Sequence, residues 1–168
     1  CTGTESSATI RLGTTCRISS VKLYPVVFET GKFFPASYVV SISMDGKTWT
    51  EVGRDDDVTD EEAKTAQTVT FDEAKAAYVK IDVTPRHVME ADGVTVSVYA
   101  QISEVRIFGL KVLTSTTMGL HDYDLPGYLN LALHKEATSS DNCAHDGCAA
   151  ANVTDGKLED TADLGWDT

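Results

Sequence analysis

Polar and apolar residues alternate along most of this chain. Residues 20–24, 38–43 and 78–83 each carry an apolar side chain at nearly every second position. Because successive side chains of a strand point to opposite faces, each segment predicts a strand with one buried and one solvent-exposed face. Similar stretches predict four more strands, at residues 8–12, 67–71, 94–99 and 103–108. The pattern favours an all-β fold of antiparallel strands.

Turn and helix signals are sparse between these strands. Asp45-Gly46 predicts a two-residue type I′ hairpin turn leading into a strand over residues 47–50, because both turn positions need positive φ. Residues 60–66 have helical composition with an acidic first turn, but the segment is too short to shape the fold. Residues 110–128 contain turn residues without a sustained period, and we interpret them as a connector.

Size and charge narrow the class of protein. A chain of 168 residues can bury one hydrophobic core. Its 26 acidic and 14 basic residues give a net charge of −12, which argues against nucleic acid and anionic membranes as partners. No apolar stretch reaches the roughly 20 residues that span a bilayer. The first residues lack the features of a signal peptide, so we expect any export signal in a longer precursor.

Four cysteines point to an oxidising compartment. Cys143 and Cys148 bracket a tight loop, and Cys1 and Cys16 flank the strand predicted at residues 8–12. Cysteines in this arrangement are more typical of disulfides than of reduced thiols, so we predict an extracellular protein. The pairing stays open, because connectivity does not follow from a sequence.

The chain shows no catalytic constellation. It contains no Gly-x-Ser-x-Gly, no His-Glu-x-x-His and no phosphate-binding loop. Its acidic residues are too numerous for one pair to stand out as the acid and nucleophile of a glycosidase. The loop from Cys143 to Cys148 holds one histidine but lacks the second cysteine pair that a zinc site needs. We therefore predict a protein that is not an enzyme.

Six segments of the chain, taken in cyclic order, resemble the motifs of one family. The longest runs over residues 34–52, from Phe-Pro-Ala-Ser-Tyr to Asp-Gly-Lys-Thr-Trp-Thr-Glu-Val. The others lie at residues 21–25, 77–81, 102–109, 130–140 and 155–156. The set resembles discoidin domains, also called coagulation factor five/eight type C domains, and in particular family 32 carbohydrate-binding modules. The resemblance covers nearly all of the chain except the connector. It implies an antiparallel jelly-roll β-sandwich of the galactose-binding-domain type.

The resemblance also implies a rotated order of segments. Residues 129–168 are similar to the first part of the usual domain, and residues 1–109 to its middle and end, with residues 110–128 between them. A natural circular permutant, an engineered or cyclised chain, or the tail of one domain followed by the head of the next would each read this way. We favour one closed, circularly permuted domain, because a connector of about 20 residues easily joins neighbouring termini.

A structural calcium ion is implied by the resemblance. The family commonly holds one ion with carboxylates and backbone carbonyls, and hard cations want about six to eight oxygen ligands. The matching positions put the side chains of Asp155, Asp160 and Glu104 among the ligands, with backbone contributions from Val153 and Lys157. The alternative is that these acidic residues face solvent, as most do in so acidic a chain.

A sugar site is implied on the loops at one end of the sandwich. Such a site needs a flat aromatic ring to stack on a pyranose and a few fixed polar groups. The corresponding loops are residues 26–34, 86–94 and 140–149. They offer His145, Asn142, Asp146, Phe28, Glu29, Phe33 and Arg86 as candidate contacts. Relatives often carry a sugar-binding arginine where this chain has Val26, so the usual anchor is absent.

These expectations predict a noncatalytic carbohydrate-binding module. It would be an accessory domain of a secreted glycoside hydrolase or of a cell-surface protein, holding a terminal sugar near a linked catalytic domain. The alternative is a structural, adhesion or protein-interaction discoidin domain without sugar binding, for which Val26 is the main support. Lipid head-group binding, known in the blood-clotting relatives, is disfavoured by the net charge of −12.

Overall fold

A computed structural model describes residues 6–26, 30–111, 129–140, 150–156 and 166–167. In this part of the chain nearly all regular structure is β, with short 3₁₀ helices at Glu62–Lys64 and Ala150–Thr154. The strands are β1 (Ser6–Tyr24), β2 (Ser37–Ser43), β3 (Thr50–Asp55), β4 (Gln67–Thr84), β5 (Arg86–Met89), β6 (Val96–Tyr99), β7 (Gln101–Ile102), β8 (Glu104–Lys111), β9 (Leu129–Asn130), β10 (Glu136–Ser139) and β11 (Trp166–Asp167). Within the described ranges, no helix has the length and apolar character needed to cross a bilayer.

Two long antiparallel strands, β1 and β4, organise the fold. The main sheet has the order β3-β2-β4-β1-β8-β9, with β10 also paired to β1. The first half of β1 pairs with β10 and its second half with β8, while β4 follows β1 along both halves. A register shift between Arg11 and Cys16, next to Gly13 at φ 80°, separates the two halves. Strands β1 and β4 therefore connect both ends of the main sheet, and the antiparallel pairing agrees with the predicted β-sandwich.

The long strands correct the predicted segmentation. Residues 8–12 and 20–24 were expected as separate strands, and so were residues 67–71 and 78–83. The structure joins each pair into one strand, because the ladder between β1 and β4 continues across its register shifts. The irregular stretches, residues 12–15 of β1 and 71–73 of β4, are left out of this ladder as bulges, and pairing resumes beyond them.

The hairpin at Asp45-Gly46 lies where it was predicted, but the type I′ turn is wrong. Strand β2 ends at Ser43 and β3 begins at Thr50, so residues 44–49 form a longer connection. Gly46 has a φ of 70°, whereas Asp45 has no positive φ. The carboxylate of Asp45 accepts hydrogen bonds from the backbone of Lys47 and Thr48, and this stabilises the longer turn.

Two other local predictions are also corrected. Residues 60–66 contain only the 3₁₀ helix Glu62–Lys64. Before the helix, Thr59 Oγ1 donates a hydrogen bond of 2.6 Å to Glu62 Oε2. This single turn satisfies both polar groups, and the helix does not extend beyond Lys64. Residues 86–94 were expected as a loop, but β5 and β6 form a hairpin around a turn at Asp92. Strand β5 has only four residues, which is too short for an alternating pattern to predict a strand.

The C-terminal segment shares its interior with the N-terminal one. Strand β9 pairs with β8, β10 with β1, and β11 with β7. Leu131, Ala132, Ala150 and Val153 belong to the same buried cluster as the core residues of β1, β4 and β8. The two stretches therefore fold against each other. The proposed rotation relative to the usual order of the family, and the division at residues 109, 110, 128 and 129, stay predictions.

The disulfides also stay predictions. Cys16 is buried, and its Sγ atom lies 3.7 Å from the carbonyl oxygen of Thr14. Cys1, Cys143 and Cys148 lie outside the described residues.

Candidate functional site

The calcium site was expected around Glu104, and the structure buries the carboxylate of this residue. Glu104 begins β8 and its side chain has 0% exposure. Its Oε2 accepts a hydrogen bond of 3.1 Å from the backbone N–H of Gly156, and its Oε1 a longer one of 3.4 Å from Asn130 Nδ2. Arg106 Nε lies 3.8 Å from Oε1. Three segments that are distant in sequence therefore meet at one carboxylate.

Asn130 holds the second of these segments in place. Its Oδ1 accepts hydrogen bonds of 3.1 Å from the backbone N–H groups of Ile107 and Ala132, which leaves Nδ2 to reach Glu104. The amide joins β8 to the turn that follows β9. Sequence reasoning missed this role, although Asn130 opens one of the family-like segments.

The 3₁₀ helix Ala150–Thr154 positions the third segment. Thr154 is buried, and its Oγ1 donates to the carbonyl of Lys135 at 2.8 Å. Its own carbonyl accepts a hydrogen bond of 2.6 Å from the backbone N–H of His134. Gly156 then turns back at a φ of 85°, where a Cβ would also come within 2.6 Å of Leu133 Cδ1. Glycine is required there because an L side chain would be strained and would clash.

Burial raises the pKa of Glu104 to about 7, opposed by the Gly156 hydrogen bond and by Arg106, while Asp155 raises it further. The groups around the carboxylate therefore supply too little positive charge to offset its burial. A hard cation would offset the desolvation that these donors leave uncompensated, so a carboxylate in this position suits the role of calcium ligand that the resemblance implies.

The remaining calcium predictions are only partly covered by the structure. Asp155 is half-buried and acts on the Glu104 carboxylate, while the side chain of Val153 is buried in the core. Asp160 and Lys157 lie outside the described residues. No three Asp, Glu, His or Cys side chains cluster in a metal-binding arrangement within the described part of the chain. The ion and its ligand set stay predictions.

Phe33 lies in a compact aromatic cluster between β1 and β2. Its ring meets the ring of Tyr99 edge to face, with centroids 4.7 Å apart, and both residues are half-buried. Lys32 Nζ lies 5.6 Å from the Phe33 centroid and 5.5 Å from that of Tyr99. Glu90 accepts from Lys32 Nζ at 2.9 Å and from the Tyr99 hydroxyl at 3.0 Å. The cluster ties the loop before β2 to the β5–β6 hairpin.

The polar members of this cluster stabilise each other's charges. The hydrogen bonds from Lys32, Ser97 and Tyr99 lower the pKa of Glu90, and the hydrogen bond to Glu90 raises the pKa of Lys32. Both groups stay ionised at neutral pH. Sequence reasoning named Phe33 but missed Lys32, Glu90 and Tyr99, since their approach depends on the pairing of β5 with β6.

Arg86 cross-links the loops beside the same hairpin. Its Nε donates to the carbonyl of Phe34 at 3.1 Å, and its Nη2 donates to those of Pro35 at 3.4 Å and Val58 at 2.5 Å. Its Nη1 donates to Asp60 Oδ1 at 2.8 Å, and the side chain is only 14% exposed. In the structure Arg86 therefore holds loops together, and contact with a sugar stays a prediction.

The other predicted sugar contacts cannot be placed. His145, Asn142, Asp146, Phe28 and Glu29 lie outside the described residues. Val26, at the position where relatives often carry arginine, is fully buried. The structure thus brings Phe33 and Arg86 into neighbouring positions around Phe34, and it places no polar side chain at residue 26.

The profile of the F5/8 type C domain family matches residues 2–100. No curated protein matches the chain.

Among solved structures, the chain is similar to the C-terminal domain of a chitobiase from Bacteroides fragilis, with 20% identity over 65% of this chain and 66% of that one, at a TM-score of 0.49. It is also similar to CBM32-3 of a family 31 glycoside hydrolase from Clostridium perfringens, with 22% identity, coverage of 62% and 66%, and a TM-score of 0.47. A chitosan-binding module 2 from the chitosanase/glucanase of Paenibacillus sp. IK-5, in complex with chitotriose, shows 21% identity, coverage of 60% and 67%, and a TM-score of 0.44. The chain spans just under two thirds of the first two structures.

Proposed function

The chain belongs to the F5/8 type C domain family, and from that premise we propose that it is a noncatalytic carbohydrate-binding module. It would bind a terminal sugar in a shallow site on the loops beside β2 and the β5–β6 hairpin. The module would act outside the cell as an accessory domain that keeps a linked catalytic domain near its substrate. Calcium would have a structural role at Glu104 and would not contact the sugar.

The observation that supports this function best is the half-buried pair of Phe33 and Tyr99. An aromatic ring that is fixed by its neighbours can stack on the apolar face of a sugar with little loss of conformational freedom. The ion pair of Lys32 and Glu90 fixes both rings and places charged hydrogen-bonding groups next to them. A few rigid polar groups beside an aromatic surface are what sugar recognition requires.

A titration of the folded chain tests this proposal. Binding of immobilised glycans is screened first, and the best ligand is then measured by isothermal titration calorimetry. We expect a dissociation constant near millimolar, equivalent to about −4 kcal/mol, because a shallow site buries few ligand atoms. Phe33→Leu keeps an apolar side chain but removes the flat ring, so it should weaken binding at least about tenfold.

The matched control is Leu133→Ala, which changes an exposed apolar residue outside the cluster. It should bind as the parent chain does. The absence of binding to every glycan at millimolar concentration, in a chain with a normal thermal unfolding transition, would defeat the proposal.

A protein-interaction domain is the second candidate. It is favoured by the buried Val26 and by the outer face of the β5–β6 hairpin, where Met89 and Val96 are 60% and 49% exposed. The register pairs these two residues directly across the strands. Exposed apolar neighbours of this kind are more common at interaction sites than on inert surfaces. A folded chain that binds no glycan would favour this candidate.

A further inference from the structure

A cavity lies on the flank of the main sheet, away from the aromatic cluster. Its volume is about 560 Å³, and its floor includes Arg54, Val39, Asp82 and Ser7. The register sets these four residues side by side across β3, β2, β4 and β1, so they share one face. The neighbouring side chains at Val40, Ile81 and Val83 are core residues, so this face points away from the core. We call this feature the flank cavity.

Backbone and side-chain hydrogen bonds close one side of the flank cavity. Ser7 N–H donates to Ser140 Oγ at 2.8 Å, and Ser140 N–H donates to the Ser7 carbonyl at 2.9 Å. Ser37 and Thr84, paired across β2 and β4, continue the same face toward the strand ends. The cavity therefore has one hydrogen-bonded edge, and its volume lies within the ~300–1,000 Å³ typical of small-molecule sites.

The charges in the flank cavity are already paired. Arg54 Nε bonds to Asp56 Oδ1 at 2.9 Å, and its Nη1 lies 3.6 Å from Glu51 Oε2. Asp82 Oδ2 pairs with Lys80 Nζ at 2.9 Å. A charged ligand would have to compete with one of these pairs. A neutral ligand with several hydroxyl groups can instead add hydrogen bonds to them, because a hydroxyl both donates and accepts.

The hydroxyls that this face offers come from Ser7, Ser37 and Thr84. The register places these three residues on the same side of the sheet as Asp82 and Val39. Ser6, which is paired with Val83, lies on the core side and adds no group to this face. Because a hydroxyl both donates and accepts, the three residues suit the hydroxyl groups of a sugar.

We propose that the flank cavity is a second saccharide-binding site, which takes a neutral sugar with its hydroxyls against Ser7, Ser37 and Asp82 and its apolar face on Val39. Phe33, Arg86 and Glu104 are absent from its lining. The site is therefore independent of the loop site proposed above, and either one can exist without the other. Two sites on one module would raise the effective affinity for a polymeric glycan through a second, intramolecular contact.

Nuclear magnetic resonance of the ¹⁵N-labelled full chain tests the proposal. Galactose, N-acetylglucosamine and chitotriose are titrated separately to tens of millimolar, with glucuronic acid and glucosamine as charged counterparts. We expect at least one neutral sugar to shift the backbone amides of Ser7, Val39 and Asp82 in a saturable way, and the charged sugars to shift them less. Shifts confined to the amides of Phe33 and Arg86 would support the loop site and overturn the flank site.

Two variants with matched controls test the site directly. Val39→Phe fills the cavity from its floor and should weaken the flank titration at least about tenfold, while Val98→Phe on the exposed face of β6 should leave it unchanged. Asp82→Asn keeps the side-chain shape and should weaken binding severalfold, in contrast to Asp72→Asn elsewhere on β4. If Val39→Phe fails to fold, the asparagine pair decides. Equal binding by a cavity variant and its control, or no shift with any neutral sugar, overturns the proposal.

Discussion

The turn after β2 and the junction around Glu104 shift the pKa of a carboxyl group in opposite directions. In the turn, Asp45 Oδ1 accepts hydrogen bonds from the backbone N–H groups of Lys47 and Thr48, both at 2.8 Å, and from Ser43 Oγ at 3.0 Å. These donors lower the pKa of Asp45 to about 2. At the junction, burial raises the pKa of Glu104 to about 7, despite a hydrogen bond from Gly156.

The difference lies in where the donors come from. The donors of Asp45 are within three residues of it, so forming the turn is enough to supply them, and water solvates the rest of the carboxylate. Glu104 loses water entirely and depends on groups that distant segments bring to it. Those groups are too few to offset the desolvation of a full negative charge. A proton or a cation can supply the remainder, whereas the turn around Asp45 needs neither.

The largest expected effect concerns calcium. Adding calcium to the chelated protein should raise the free energy of unfolding by about 3 kcal/mol when the free ion is near one hundred times its dissociation constant. Glu104→Gln keeps the shape of the side chain but removes its charge, so the gain should disappear. Asp45→Asn should keep the full gain, because its carboxylate is already satisfied within the turn.

Denaturant unfolding with and without calcium measures these differences. Equal stabilisation of the parent chain and Glu104→Gln would show that Glu104 is not a ligand. No stabilisation of the parent chain at any calcium concentration would contradict the implied ion.

A smaller effect is expected from pH in the absence of metal. The pKa of Glu104 rises from 4.5 to about 7 on folding, so the folded state binds more protons across that interval. The free energy of unfolding should therefore fall as the pH rises from 5 to 7, by about 2 kcal/mol at most from this group.

The measurement is chemical unfolding in a chelating buffer at several pH values. The difference between the parent chain and Glu104→Gln isolates this group from the histidines. A difference that stays constant between pH 5 and 7 would mean that Glu104 titrates as it does in the unfolded chain.

The smallest effect is expected at the turn. Because the pKa of Asp45 is lowered from 3.8 to about 2, its carboxylate stabilises the fold above pH 4, and this contribution is lost as the pH falls toward 2. Asp45→Asn should lower the melting temperature modestly at neutral pH and should lack this part of the acid loss. The matched control is Asp72→Asn, at an exposed position of β4. Identical acid unfolding of Asp45→Asn and the parent chain would show that the turn does not depend on the carboxylate.

The same division between local and distant partners explains how far the fold was predictable. Alternation located the strands around Val40, Ile81 and Ile107, because a strand with one buried face has a pattern of period two in its own sequence. It did not reveal that β1 and β4 run on through their irregular stretches, since the pairing of the two strands resumes only beyond these bulges. The type I′ turn was wrong for a related reason: the side chain of Asp45 supports a longer turn in which it needs no positive φ.

The candidate sites divide in the same way. The family resemblance named Glu104 and Asp155 as candidate calcium ligands by matching segments, and Phe33 as a candidate sugar contact by its loop. It did not reveal Asn130 or Tyr99, because their importance depends on contacts with residues 26 and 66 positions away in the chain.

By itself, the sequence determined that this chain forms antiparallel strands, belongs among F5/8 type C domains and carries a strongly acidic surface, because alternation, motifs and charge are written in neighbouring residues. Only the tertiary structure decided which carboxylate loses its water, which aromatic rings meet and where the sheet leaves a cavity. Those properties depend on distances between segments far apart in the chain, and burial changes the energy of a polar group only after such segments have come together.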